Sequence, residues 1–191
     1  MRSRDGHSKL KQTRILLSAI LILAARSWAQ EAAAARPQRY VLVSIPARKL
    51  AVLENDTVLR VFEVAVGAHV SPSPNGQFQI INRVSHPTYY HAGQVIPPGK
   101  DNPVGTRWIG LNRKGYGIHG TNLPNSIGKA ASHGCIRLRN RDMEQLFQML
   151  RTGDSVEIRA EIDNETAAIF GREAPEGVVA QVSVSMAGGS Q

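Results

Sequence analysis

The sequence predicts a mainly β domain, with one helix placed directly after the segment that carries its only cysteine. Three observations lead there. Branched and aromatic residues crowd into short runs from Tyr40 onward, separated by turn formers. One segment alone, beginning at Asn140, changes to the helical spacing of apolar residues. The strand-like runs recur without any internal repeat.

Taken in order, Tyr40–Ile45 reads as the first strand and Lys49–Glu54 as the second. An Asn55-Asp56 turn leads into a third, Val58–Val66, giving an antiparallel meander. Gly76–Val84 follows, with Phe78, Ile80 and Val84 on one alternating face. Shorter strands are expected at Arg107–Leu111, Gly115–His119, Cys135–Leu138 and Ser155–Arg159. For the helix, Asn140 is the expected cap, and Asp142 and Glu144 suit its positive end. Met143, Leu146, Phe147 and Leu150 form its apolar face, and Arg151 and Gly153 end it. Residues 85–106 hold Pro87, Gly93, Pro97, Pro98, Gly99, Pro103 and Gly105, a long connection of the kind used as a functional loop or lid.

The ends of the chain are of another kind. Arg2, Arg4, Lys9, Lys11 and Arg14 precede an apolar run, Ile15–Ala25, and then Ser27-Trp28-Ala29. This is the layout of an export signal, residues 1–29, cut after Ala29. The run would rise only about 16 Å as a helix, short for a bilayer; left uncut, it is the one expected membrane attachment. An Ala-rich linker at 30–39 leads to the domain at 40–161. From Glu161 on there are five acids and one base, so 162–191 reads as an acidic tail, with one added strand at Gly177–Ser185.

The formal charge of +8 is misleading, since six of the 23 Lys and Arg and one of the 15 Asp and Glu lie in residues 1–29. The remainder holds 17 bases against 14 acids, which argues against nucleic acid as a partner. The expected location is outside the cytoplasm, in the periplasm or cell envelope of a bacterium.

Exported proteins mostly use cysteines in pairs, so a single one is to be read as a reactive thiol. Cys135 sits in Ser132-His133-Gly134-Cys135-Ile136-Arg137-Leu138. A thiol needs a base to become a nucleophile near neutral pH. His133 lies two residues before it, and His119 ends a separate strand that can bring its ring opposite the sulfur. The second placement needs no local distortion, so His119 is the preferred base, with a rate that rises through about pH 6 to 8. The Gly120 carbonyl can orient it. The amides of Gly134 and Cys135 can bind a developing oxyanion. Arg137 shares strand parity with Cys135 and suits a carboxylate. A zinc site from His119, His133 and Cys135 lacks a fourth ligand. His69, His86 and His91 read as surface residues.

These motifs resemble the L,D-transpeptidases of the YkuD type, in their periplasmic branch. The resemblance rests on Ser132-His133-Gly134-Cys135, on Ile118-His119-Gly120-Thr121, and on Ile127-Gly128. It extends to Ser73-Pro74-Asn75-Gly76-Gln77-Phe78, to Ile96-Pro97-Pro98-Gly99 and to Asn102-Pro103-Val104-Gly105. Ser73 stands where the family usually has threonine, and Arg137 where part of it has asparagine.

The resemblance implies a YkuD-like β-sandwich catalytic domain. Cys135 would be the nucleophile and His119 the proton carrier, oriented by Gly120. His133 and Gly134 would shape the site, and Ser132 and Arg137 would serve the substrate. The donor would be a peptidoglycan tetrapeptide stem, attacked between L-diaminopimelate and D-alanine. The acceptor would be another stem's amine or a lysine of an envelope protein. Carbapenems would acylate Cys135, and no cofactor or metal is implied. A hydrolase using the same thioester and a non-catalytic wall-binding module remain open on the sequence.

Overall fold

The structure is a computed structural model that describes residues 37, 39–91 and 93–171. The expected export signal, most of the linker and the tail strand at Gly177–Ser185 lie outside the described residues.

The architecture is mainly β. An eight-stranded mixed sheet is built from β1 (Arg39–Ser44), β2 (Lys49–Glu54), β3 (Thr57–Glu63), β5 (Gly76–Ser85), β8 (Arg107–Leu111), β9 (Gly117–His119), β11 (Ile136–Arg137) and β12 (Ser155–Arg159). Across the sheet the order is β11-β9-β8-β5-β12-β1-β2-β3. β4 (Val66–Gly67) pairs with β10 (Ala130–Ser132), and β6 (Tyr89–His91) forms a hairpin with β7 (Gln94–Ile96). β1 and β12 run parallel, as do β9 and β11; the other main-sheet pairs are antiparallel.

The sheet curls until its two edges meet. β3 is one edge strand, yet Ala65, two residues beyond it, exchanges backbone hydrogen bonds with Arg137 of β11, the opposite edge. Their N–H to O distances are 2.8 and 2.9 Å. Closing a sheet in this way removes free N–H and C=O groups from the edge that carries the site.

The principal core fills the inside of the curl. Val41, Val43, Leu50, Val52, Ile80, Ile109, Ile118, Ile136 and Ile158 come from the strands. They meet Met143, Leu146 and Leu150 from α1 (Asn140–Met149) and the residue that follows it. Two arginines finish α1: Arg83 and Arg39 donate to the carbonyls of Phe147 and Met149. Cations there complement the negative end of the helix.

Two local expectations change. Val84 does not join Ile80 in the core but is 41% exposed. A register shift between Ile80 and Asn82 inserts one residue into β5, and a bulge reverses the parity of everything after it. Arg83 takes the inward direction instead, with its guanidinium 4.0 Å from the Phe147 ring centroid. The second change is at the start of the region read as a tail, where a short helix, α2 (Asn164–Phe170), is present. Asp163 caps it through a reciprocal pair of bonds with Thr166. Phe170 packs with Leu42, Ala47, Ala51 and Leu53 on the other face of the sheet. That explains why β1 is buried on both sides from Val41 to Ser44.

Leu146 sits at the centre of the α1 contact with no exposed surface. Leu146→Ala is expected to lower unfolding free energy by about 2–5 kcal/mol in urea titrations.

Candidate active site

The site lies on the face of β8, β9 and β11 opposite the core. Strand parity dictates this. Ile136, Ile118 and Ile109 are aligned in register and all point into the core. Their chain neighbours must therefore face the other way. Those neighbours form a second aligned row, Arg137, His119 and Trp108. Cys135, two residues before Arg137, falls beside Gly117, two residues before His119. The parallel pairing thus sets the thiol one step diagonally from the imidazole.

The turn that presents Cys135 is Ser132-His133-Gly134. Gly134 has φ of +107°, and a side chain there would meet the Tyr116 ring at 2.8 Å. Ser132 is 2% exposed. Its hydroxyl donates to the Cys135 carbonyl at 2.5 Å and accepts the Gly134 N–H at 3.0 Å. These bonds engage the Ser132 hydroxyl and the Gly134 N–H, two groups expected to serve the substrate or an oxyanion, within the turn itself.

His133 is exposed, and β11 begins only at Ile136, so His133 and Cys135 do not share a strand face. His119 is buried, at 4% exposure. Its Nδ1 lies 2.5 Å from the Gly120 carbonyl oxygen. A carbonyl only accepts, so Nδ1 carries the proton and Nε2 is left as the basic nitrogen. The fold thus sets His119 on the strand beside Cys135 and leaves His133 at the surface, before β11 begins.

Electrostatically the resting pair is neutral. Burial pushes the Cys135 thiol up, while the Gly117 N–H and the Arg137 charge oppose that. The thiol also donates to the Gly115 carbonyl at 3.5 Å. Burial pushes His119 down to about 4, with the Gly120 bond opposing and Arg137 reinforcing the shift. The cause is desolvation, which disfavours the charged ring. Arg137 Nη1 donates to the Ala131 carbonyl at 3.3 Å, and its buried Nε has no partner among the described residues.

Three further residues organise the site: Trp108 and Tyr116, which sequence reasoning did not single out, and Asn140, which it read only as a helix cap. Trp108 stacks on His119, with ring centroids 5.5 Å apart and planes 21° from parallel. Its alternation against Ile109 was the available signal. Tyr116 walls the Gly134 turn and carries the Arg113 guanidinium 4.8 Å from its ring centroid. Asn140 does not cap α1 with its side chain. Instead its Oδ1 accepts the N–H groups of Thr106 and Thr121, at 3.2 and 3.1 Å. It thereby ties the end of the long loop to the segment after His119. Gly105 and Gly120 make the room, since a side chain on either would meet that oxygen within 2.2 Å.

The long loop is itself built around Asn102, which is fully buried. Asn102 Nδ2 donates to the carbonyls of Pro87, Ile96 and Pro97, and Oδ1 accepts the Val104 N–H. Ser73 likewise uses its hydroxyl structurally, accepting the Gly67 N–H at 2.8 Å. No cluster of three His, Cys, Asp or Glu is arranged to hold a metal among the described residues.

Two measurements follow. Between about pH 6.5 and 4 the unfolded chain binds a proton at His119 that the folded chain refuses. Stability should fall over that window by about 3 kcal/mol more than in His119→Gln, and level off below it. Iodoacetamide labelling of Cys135 at pH 7 should be slower than that of a free thiol, and should keep rising with pH beyond about 8.5.

The YkuD L,D-transpeptidase catalytic domain family matches residues 38–158. A putative L,D-transpeptidase YkuD of Bacillus licheniformis is 38% identical over 118 residues, which are 62% of this chain and 64% of that protein. A putative L,D-transpeptidase YqjB of Bacillus subtilis is 39% identical over 122 residues, 61% of this chain and 69% of that one. The matched region thus spans about two thirds of these relatives. Among solved structures, an L,D-transpeptidase from Mycobacterium smegmatis shares the fold, with a TM-score of 0.56 at 20% identity. That match covers 65% of this chain and 59% of the other. The motifs around His119 and Cys135, the matched domain and the shared fold place this chain in the YkuD family of L,D-transpeptidase catalytic domains.

Proposed function

We propose that the domain is a cysteine transpeptidase acting on peptidoglycan stems outside the cytoplasm. The observation that supports this most is the arrangement of β9 and β11. It sets a lone thiol diagonal to a buried histidine whose Nδ1 is held by a backbone carbonyl. The basic and apolar leader supports export.

In this reading the Cys135 S–H proton moves to His119 Nε2. The sulfur electron pair attacks the carbonyl carbon of the L-diaminopimelate to D-alanine bond. The Cys135 amide receives the developing oxyanion. The C–N bond breaks, and D-alanine leaves with the proton from the imidazolium. An amine then attacks the thioester, returns its proton through His119, and restores the thiol. Because the resting groups are neutral, proton transfer is uphill until substrate displaces water. Arg137, whose Nε is buried with no partner among the described residues, is the residue suited to a stem carboxylate.

The test is release of D-alanine from a tetrapeptide stem, with and without an acceptor amine. The expected result is release that Cys135→Ala and His119→Ala abolish, with amine captured in the product. Hydrolysis alone at saturating amine would replace the transferase by a carboxypeptidase. Release unaffected by Cys135→Ala would sink the mechanism. Incubation with a carbapenem should add its mass to the wild type and not to Cys135→Ala.

A further inference from the structure

Proton transfer to His119 makes an imidazolium in a place hostile to it. The ring is 4% exposed, so water cannot solvate the charge. Arg137 faces it in register from β11, and like charges repel. Among the described residues no Asp or Glu forms an ion pair with His119. The Gly120 carbonyl stabilises Nδ1–H in both states of the ring. Cys135 supplies a negative partner only while it is a thiolate. Trp108 is a neighbour of another kind, an aromatic ring stacked on the imidazole.

Trp108 is placed for more than filling space. It is the direct cross-strand partner of His119, and its ring lies 21° from parallel to the imidazole at 5.5 Å. β9 leaves room for it: a side chain on Gly117 would meet the indole at 2.6 Å. The indole therefore presents its π-face to the imidazole. A cation within about 6 Å of a tryptophan face is attracted by the ring quadrupole, most strongly where water is excluded.

We propose that Trp108 is a positioning residue that acts as a cation–π platform for His119. Its indole face holds the ring and stabilises the imidazolium formed when the Cys135 proton arrives. This rests on the thiol–imidazole reading above. The step is the one already written: the S–H bond breaks, an N–H bond forms at Nε2, and the electron pair stays on sulfur. The charged groups facing His119 are Arg137 and, once ionised, Cys135.

Fluorination weakens the π-face of an indole while changing its shape little, so it separates this role from packing. The chain has two tryptophans, and Trp28→Phe leaves Trp108 as the only one. The full-length protein would be made with tryptophan and with mono-, di- and trifluorotryptophan. Two quantities would be read on each: the His119 titration midpoint by NMR, and the iodoacetamide rate on Cys135 at fixed pH. Both should fall stepwise with fluorine number, the rate by about 3- to 30-fold across the series. A flat response in either readout, on protein with unchanged circular dichroism, overturns the proposal. D-Alanine release by the unfluorinated protein is measured separately. Its absence would sink the transpeptidase reading and leave the fluorination trend to stand or fall alone.

Discussion

The parallel pairing of β9 with β11 is the constraint on which the rest depends. Both strands are very short, Gly117–His119 and Ile136–Arg137. Neither could hold its position alone. β11 is secured from both sides: by β9 in the ladder, and by Ala65 through the bonds that close the curl. Ile136 and Ile118 then anchor the pair to the core, which leaves Cys135, Arg137 and His119 no direction but outward. A slip of one residue would turn the thiol inward and an isoleucine outward, so burial of the isoleucines specifies the site.

The burial that secures this geometry also determines its electrostatics. A buried imidazole next to an arginine resists protonation, and desolvation makes the half-buried thiol resist ionisation. The site is thus kept quiet at rest. In the proposed mechanism, reactivity would come from groups that stabilise charge only as it develops: the Cys135 amide for the oxyanion, and the Trp108 face for the imidazolium. Stabilisation confined to the transition state is what accelerates a chemical step.

Asparagines join the loops to this frame. Asn102 gathers the long loop on itself, and Asn140 clasps its end to the residue after Gly120. Asn122 adds a bond from its Nδ2 to the Asp101 carbonyl. The end of the loop is therefore joined through Thr106, Asn140 and Thr121 to the backbone beside His119. The β6–β7 hairpin leaves Tyr90 and Val95 exposed.

Much of this was legible from residue order. Alternation located β1, β2, β8 and β12, and the spacing of Met143, Leu146 and Leu150 located α1. The histidine, glycine and cysteine motifs named the groups that the fold brings together on β9 and beside β11. Those features are local, because strand and helix periods are written in consecutive residues. What only the tertiary structure decided are matters of partnership across the chain. Val84 turned outward because a bulge, invisible in the alternation, changed its parity. Ser132 and Gly134 became partners of one another within the turn before Cys135. Asn140 left its helix end because two glycines far away in sequence opened a place for its oxygen. His119 lost basicity because the fold removed it from water. A sequence states which groups can donate, accept or ionise. Which of them are already paired, and which are dry, is settled when distant segments meet.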